Sequence, residues 1–122
     1  MKQALILFAH GARDPQWAAP LQRVRTAILA SRPETRVELA FLELMGPNLG
    51  DCVTALAAEG VEHIAVLPMF IAQGGHLKRD VPALLAALQE RFPAVELQLA
   101  PAVGEMEVVI RAMAGAAVAL LA

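Results

Sequence analysis

Apolar residues in this chain gather in four short blocks, at 3–9, 36–43, 61–72 and 95–100. The first block is apolar without alternation from Ala4 to Ala9, the pattern of a strand covered on both faces. Between the blocks the apolar positions recur every three or four residues, the period of helices packed on one side. The first helix is expected over 18–31, with Leu21, Val24 and Ile28 on its inner face. Asp14 and Pro15 suit a helical opening. Pro20 costs about 3 kcal/mol inside a helix, which sets the regular start near Ala18. A second helix is predicted from Gly46-Pro47 through Glu59, closed by Gly60. The segment 73–79 reads as a long loop, after which Asp80 caps a helix from Val81 to about Phe92 with Pro82 in its first turn. A last helix is predicted from about Glu105 to Leu121, with Met106, Val109, Met113 and Leu120 at helical spacing.

Strand and helix therefore alternate four times with no linker, low-complexity stretch or boundary. The predicted fold class is α/β, one domain over 1–122: a doubly wound, four-stranded parallel sheet in order 2-1-3-4 with helices on both faces. In such sheets ligands bind beyond the carboxyl ends of the strands, where neighbouring connections diverge to opposite faces. Strands 1 and 3 meet at that point. His10 follows the first and His76 the third, while Glu43 ends the second, at two equal intervals of 33 residues. Two imidazoles and a carboxylate suit a divalent transition metal.

Each of these residues has a plainer alternative. A histidine in a small domain commonly serves as a hydrogen-bonded structural residue, and His63, at the amino end of strand 3, is read that way. His10 and His76 differ because both sit at carboxyl ends beside glycine. Gly11, Gly74 and Gly75 let backbone approach a ligand closely. Glu43 is either a strand-end carboxylate facing water or the third member of a two-His, one-carboxylate set. Arg13, Lys78 and Arg79 either solvate the surface or hold an acidic substrate. Their concentration beside the proposed site of an acidic chain favours the second role. Met69 and Phe70 read as core residues, and Trp17 as the better contact for a flat apolar ligand.

Composition narrows the function further. The chain of 122 residues is 57% hydrophobic and 18% charged, with a net charge of −2 and a mean hydropathy of +0.54. One domain of this length buries a core without staples. Its longest apolar run, 112–122, contains Gly115 and falls short of the roughly 18 residues a spanning helix needs, so no membrane role is expected. The excess apolar surface fits a buried sheet plus a subunit interface. The opening Met1-Lys2-Gln3 ahead of six apolar residues only faintly imitates a signal peptide, whose apolar part is usually about 7–15 residues. Cleavage after Ala12 would also remove His10, and the protein is expected to be cytoplasmic. The single cysteine, Cys52, excludes a disulfide framework and any CxxC metal site, and reads as a small buried hydrophobe. With no basic tract and no Tyr, nucleic acid is not an expected partner. A histidine-phosphatase reading fails because Ala9, not Arg, precedes His10. Phosphate-loop and dinucleotide glycine signatures are absent.

Taken together, His10-Gly-Ala-Arg-Asp-Pro15, Phe41-Leu-Glu43 and the stretch from Pro68 through Gly75-His76-Leu-Lys-Arg-Asp80-Val-Pro82 resemble the small sirohydrochlorin chelatases, the short CbiX-type branch of the class II chelatases. The resemblance spans essentially the whole sequence. It departs at Ala12, where a serine is common, and Pro20 looks atypical. It implies insertion of Co²⁺ or Fe²⁺, with Ni²⁺ also admissible, into the tetrapyrrole sirohydrochlorin on the route to cobalamin or sirohaem. The metal is a substrate, and no organic cofactor is implied. Metal binding and catalysis would fall to His10, Glu43 and His76. Arg13, Gly74, Gly75, Lys78 and Arg79 would contact the substrate. Larger chelatases of this fold have two such lobes facing one cleft, so a single chelatase-like lobe is expected to act as a homodimer. The last helix, 112–122, is a candidate interface, with covering the sheet as its alternative role. A non-catalytic metal or tetrapyrrole carrier would use the same residues. A plain flavodoxin-like binding module would leave both histidine loops without a task.

Overall fold

The computed structural model describes residues 2–122; Met1, in the leading segment read above, lies outside the described residues. Four parallel strands, β1 (Gln3–Ala9), β2 (Arg36–Phe41), β3 (His63–Pro68) and β4 (Glu96–Leu99), form one sheet in the order β2-β1-β3-β4, as the alternating pattern predicts. β1 lies between β2 and β3, with Ala9 opposite Phe41 and Phe8 opposite Pro68. Being central and covered on both sides, it buries Ile6, Leu7 and Phe8 in succession.

The helices are α1 (Ala19–Ser31), α2 (Leu49–Ala58), α3 (Gly75–Arg91) and α4 (Glu107–Val118). α2 and α3 share one face, where Leu49, Val53, Leu56, Val81, Leu85 and Leu88 enclose Ile6, Phe8, Ile64 and Val66. Phe8 meets Phe70 edge to face, with ring centroids 6.2 Å apart. On the other face α1 contributes Leu21, Ile28 and Leu29 to a smaller cluster around Leu7, Val37 and Leu39. Each fully buried Leu, Ile or Phe stabilises the fold by about 1.5–3 kcal/mol.

Several boundaries differ from those the sequence predicts. A 3₁₀ turn, Pro15–Ala18, precedes α1, and the Asp14 carboxylate accepts from the Gln16 N–H at 2.9 Å. Pro20 thereby falls in the first turn of α1, where its missing N–H costs nothing. Val24 is exposed at 38% rather than inward. Arg25 takes its place, its Nε donating to the Val37 carbonyl at 2.8 Å. β2 ends at Phe41, so Leu42 and Glu43 lie in the loop beyond it. α2 starts at Leu49 and not at Gly46-Pro47, because Asn48 caps it by accepting from the Asp51 N–H at 2.8 Å. Gly60, at φ +85°, follows the end of that helix as expected.

β3 spans fewer residues than 61–72. After Met69 donates to the Phe8 carbonyl at 2.7 Å, β1 offers no further partner. α3 begins at Gly75, within the stretch expected to be a loop, so Asp80 lies inside the helix rather than capping it. Gly74 occupies the N-cap position, and the Lys78 N–H donates to its carbonyl at 3.1 Å. Pro82 consequently sits in the helix interior and cannot donate to the Lys78 carbonyl. Both residues are exposed, where water can replace that bond. α4 forms where a last helix is expected, and of the two roles open to it one is excluded. A 3₁₀ turn, Val103–Glu105, precedes it, and none of its residues is buried, so it does not cover the sheet of its own chain.

Candidate functional site

The loops after β1 and β2 are knitted together at the carboxyl edge of the sheet. Leu42 N–H donates to the Ala9 carbonyl at 2.9 Å and Glu43 N–H to the His10 carbonyl at 3.0 Å, extending the ladder past both strands. Gly11 adopts φ +96° and lies hard against the Glu43 backbone, while the Ala12 N–H points at the Met45 sulfur at 3.4 Å. Leu44, also at positive φ (69°), turns the second loop away. The result places His10 Nε2 at 3.0 Å from Glu43 Oε1, with both side chains about half exposed.

This pair has the spacing of adjacent metal ligands. Two donors 3.0 Å apart subtend about 90° at an ion lying ~2.1 Å from each, the angle between neighbouring ligands of an octahedral centre. With no ion, the same contact holds a proton between imidazole and carboxylate.

His76 stands apart from the pair. It is the second residue of α3, exposed, at the same carboxyl edge but reached from β3. Among the described residues no group of three or more His, Cys, Asp or Glu is gathered closely enough to hold an ion. The three-donor set read from the sequence is therefore assembled only as far as His10 and Glu43. His63 behaves as its position suggests: it opens β3 at the opposite edge, and its Nε2 lies 3.1 Å from Gln98 Oε1.

The surroundings favour an anion. Arg13, Lys78 and Arg79 are exposed, and none takes part in an ion pair among the described residues. Gly74 and Gly75 open α3 with free space around them, and no side chain caps its first N–H groups. Those groups form the positive end of the helix dipole. Trp17 is 41% exposed, as expected for a contact residue, whereas Phe70 belongs to the core and Met69 is partly buried. Leu44 and Ile71, at 55% and 73% exposure, are apolar residues of the same edge that the sequence reading did not single out. Ile71 is hidden there by an apolar run that looks like continuing strand, and the positive φ of Leu44 has no sequence signal. Two cavities, of about 380 Å³ between α2 and α3 and about 770 Å³ beside α1, include none of His10, Glu43 and His76.

The family model of CbiX matches residues 4–117. The sirohydrochlorin cobaltochelatase of Methanopyrus kandleri is 34% identical over 82 residues, 67% of this chain and 57% of that one. The sirohydrochlorin ferrochelatase of Bacillus subtilis is 32% identical over 117 residues, 93% of this chain and 43% of that one. This chain thus spans about half the length of the curated relatives it matches. Among solved structures, the CbiX protein of Marinobacter aquaeolei superposes with a TM-score of 0.85 at 29% identity, over 98% of this chain and 97% of that one. SirB of Bacillus subtilis with Fe³⁺ superposes with a TM-score of 0.80 at 26% identity, over 100% of this chain and 48% of that one. The family match over residues 4–117 and the superposition over nearly the whole chain agree: the chain belongs to the CbiX family.

Proposed function

We propose that this chain inserts a divalent metal ion, Co²⁺ or Fe²⁺, into sirohydrochlorin. The observation that carries the reading is the 3.0 Å contact between His10 and Glu43 at the open carboxyl edge. Relatives named as cobaltochelatase and as ferrochelatase of this substrate support it, and between them they name both metals.

Metallation replaces two pyrrole N–H protons by one M²⁺ and leaves every oxidation state unchanged, so it needs proton acceptors and no organic cofactor. His10 and Glu43 hold the ion through two neighbouring positions. They leave the others to water and to the incoming nitrogens, because a closed four-ligand site would trap the metal. As each pyrrole nitrogen binds, its proton passes to the donor the metal releases, an imidazole or a carboxylate. His76 supplies a third donor from the first turn of α3, whose Gly74-Gly75 entry has open space for the approach. Arg13, Lys78, Arg79 and the α3 N-terminus hold the carboxylates of the macrocycle, and Trp17 lies against its plane. One such lobe offers one wall to a flat ligand, so two copies face each other across the cleft. We assign the protein to the cytoplasm, where its lone thiol stays reduced.

The test is multiple-turnover metallation of sirohydrochlorin, followed by its absorbance, with Co²⁺, Fe²⁺ and Ni²⁺ against the spontaneous reaction. Catalysis with one or more of these ions is the expected result. A rate equal to the spontaneous one, with metal or tetrapyrrole bound stoichiometrically, overturns the catalytic reading and makes the protein a carrier.

A further inference from the structure

Among the described residues the backbone enters the left-handed region at Gly11 (φ +96°), Gly60 (φ +85°) and Leu44 (φ +69°). Glycine adopts that conformation freely. A bulky apolar residue there is an outlier.

The neighbours of Leu44 explain how it is held. On one side the Glu43 N–H donates to the His10 carbonyl at 3.0 Å, and the Glu43 carbonyl lies against Gly11. On the other, Met45 packs on the cluster around Leu7, and its sulfur faces the Ala12 N–H at 3.4 Å. With both flanks fixed, the dihedral between them is fixed too. The neighbours do not explain why the residue is leucine. Its side chain is 55% exposed, so it adds little to the core, and glycine would make the same turn with less strain. Strain kept at an exposed position beside a site points to function.

A second exposed apolar residue mirrors it. Leu44 lies three positions beyond Phe41, the last residue of β2, and Ile71 three beyond Pro68, the last of β3. β1 runs between those strands and delivers His10, so the flanking strand ends are two spacings, about 10 Å, apart. Ile71 is 73% exposed on a backbone that is also held. The Gly104 N–H donates to the Phe70 carbonyl at 3.0 Å, and a Cβ on Gly104 would stand 2.1 Å from the Ile71 carbonyl oxygen. Two apolar side chains therefore face solvent from fixed positions, on an edge that also carries the exposed cations Arg13, Lys78 and Arg79. A ligand matched to that edge is apolar in its middle and anionic at its margin.

We propose that Leu44 and Ile71 are substrate-contacting residues that take the apolar face of the macrocycle on either side of His10, and that Leu44 is kept at a cost in stability for that contact. The assignment rests on the chelatase reading above. It adds the part of the site that recognises the ring itself, apart from the metal and the carboxylates.

The test is absorbance titration of the metal-free protein with sirohydrochlorin, on the unaltered chain and on Leu44→Ala, Leu44→Gly, Leu44→Met and Ile71→Ala. Co²⁺ affinity, melting temperature and metallation kinetics are measured on each. Leu44→Ala, Leu44→Gly and Ile71→Ala are expected to bind the ring roughly 3- to 10-fold more weakly, raising KM with kcat and Co²⁺ affinity little changed. Leu44→Met should keep its grip on the ring. Leu44→Gly should melt a few degrees above Leu44→Ala, since both lose the side chain and only glycine relieves the dihedral. Unchanged ring affinity in the Leu44 variants overturns the assignment while the unaltered protein still metallates. Co²⁺ affinity that falls in step with ring affinity also overturns it, because Leu44 would then act by holding Glu43. Equal melting of the Ala and Gly variants removes the strain on which the argument stands. Weaker self-association with ring affinity intact gives Leu44 to a partner copy and overturns the ring contact. An unaltered protein that neither binds nor metallates sirohydrochlorin overturns the chelatase reading, and this assignment with it.

Discussion

The Cα of Gly11 lies against the main-chain carbonyl of Glu43, so closely that a Cβ on Gly11 would stand 1.9 Å from that oxygen. Gly11 is also at φ +96°, a conformation L side chains rarely adopt. No alanine rotamer relieves the clash, because both atoms belong to backbone. Gly11→Ala must therefore part the two loops and separate His10 from Glu43. A loss of about 1–3 kcal/mol in denaturant unfolding is expected, together with a fall in metallation. Gly60→Ala is the control: Gly60 is at φ +85° with nothing within 4 Å of a Cβ. It should cost dihedral strain alone and leave activity unchanged. Equal activity loss in both variants would deny the Gly11–Glu43 contact any special part.

His10→Ala and His63→Ala should differ in the same way. His10 faces Glu43 at the carboxyl edge, whereas His63 opens β3 at the other edge and meets Gln98. On the proposed function, removing His10 deletes a metal donor and a proton acceptor together, and a rate loss of about 10²-fold or more is expected, with the melting temperature little changed. His63→Ala should keep its metallation rate. Loss of activity in a stably folded His63 variant would mean that the chemistry lies at the amino edge.

Sheet order and site edge were legible because both follow from periodicity and connection rules. β1 reads directly from six consecutive apolar residues, and strand order follows from right-handed crossovers. The misread regions are those where a local signal competes with a tertiary one. Gly74-Gly75 looks like a loop, yet glycine is tolerated at a helix start, and the apolar face of Leu77, Val81 and Leu84 draws the segment into α3. The apolar run through Ile71 looks like strand, but a strand needs a neighbour and β1 ends at Ala9. Equal sequence intervals put His10, Glu43 and His76 on one edge, as observed. They carry no information about distance within that edge, which is why His76 stands apart. The sequence leaves α4 open between covering its own sheet and an interface, since an apolar helix has the same composition in either role, and only the fold shows it exposed.

Cys52 is the one thiol of the chain, and burial pushes it up to about 11. At neutral pH it should resist a thiol-directed disulfide reagent in the native protein and react at once in denaturant. The pH dependence has a definite sign. A thiol whose pKa is raised on folding contributes stability that is complete below its ordinary value of 9.0 and is lost as pH rises through about 11. Unfolding curves should therefore move to lower denaturant only in that alkaline window, and a Cys52→Ala variant should lack this component. Rapid labelling of the folded protein at pH 7 would contradict the burial of the α2 face.

Substrate grip is the remaining consequence of the cations at the carboxyl edge. Arg13, Lys78 and Arg79 are exposed and without ion-pair partners among the described residues, so they are free to meet carboxylates of an anionic macrocycle. A charge-assisted hydrogen bond contributes roughly 1.5–3 kcal/mol, or about 10- to 150-fold in affinity, and exposure places these contacts at the lower end. Arg13→Gln, or Lys78→Gln with Arg79→Gln, should raise the apparent substrate constant by about tenfold while leaving the maximal rate nearly unchanged, because none of the three is among the proposed metal donors. Added salt should weaken binding to the unaltered protein and weaken it less in the variants, since screening acts on the same charges that the substitutions remove. Titration of sirohydrochlorin by absorbance at two ionic strengths measures both effects. Affinity indifferent to salt and to all three substitutions would reduce these cations to surface solvation and leave the α3 N-terminus and Trp17 as the parts that hold the ring.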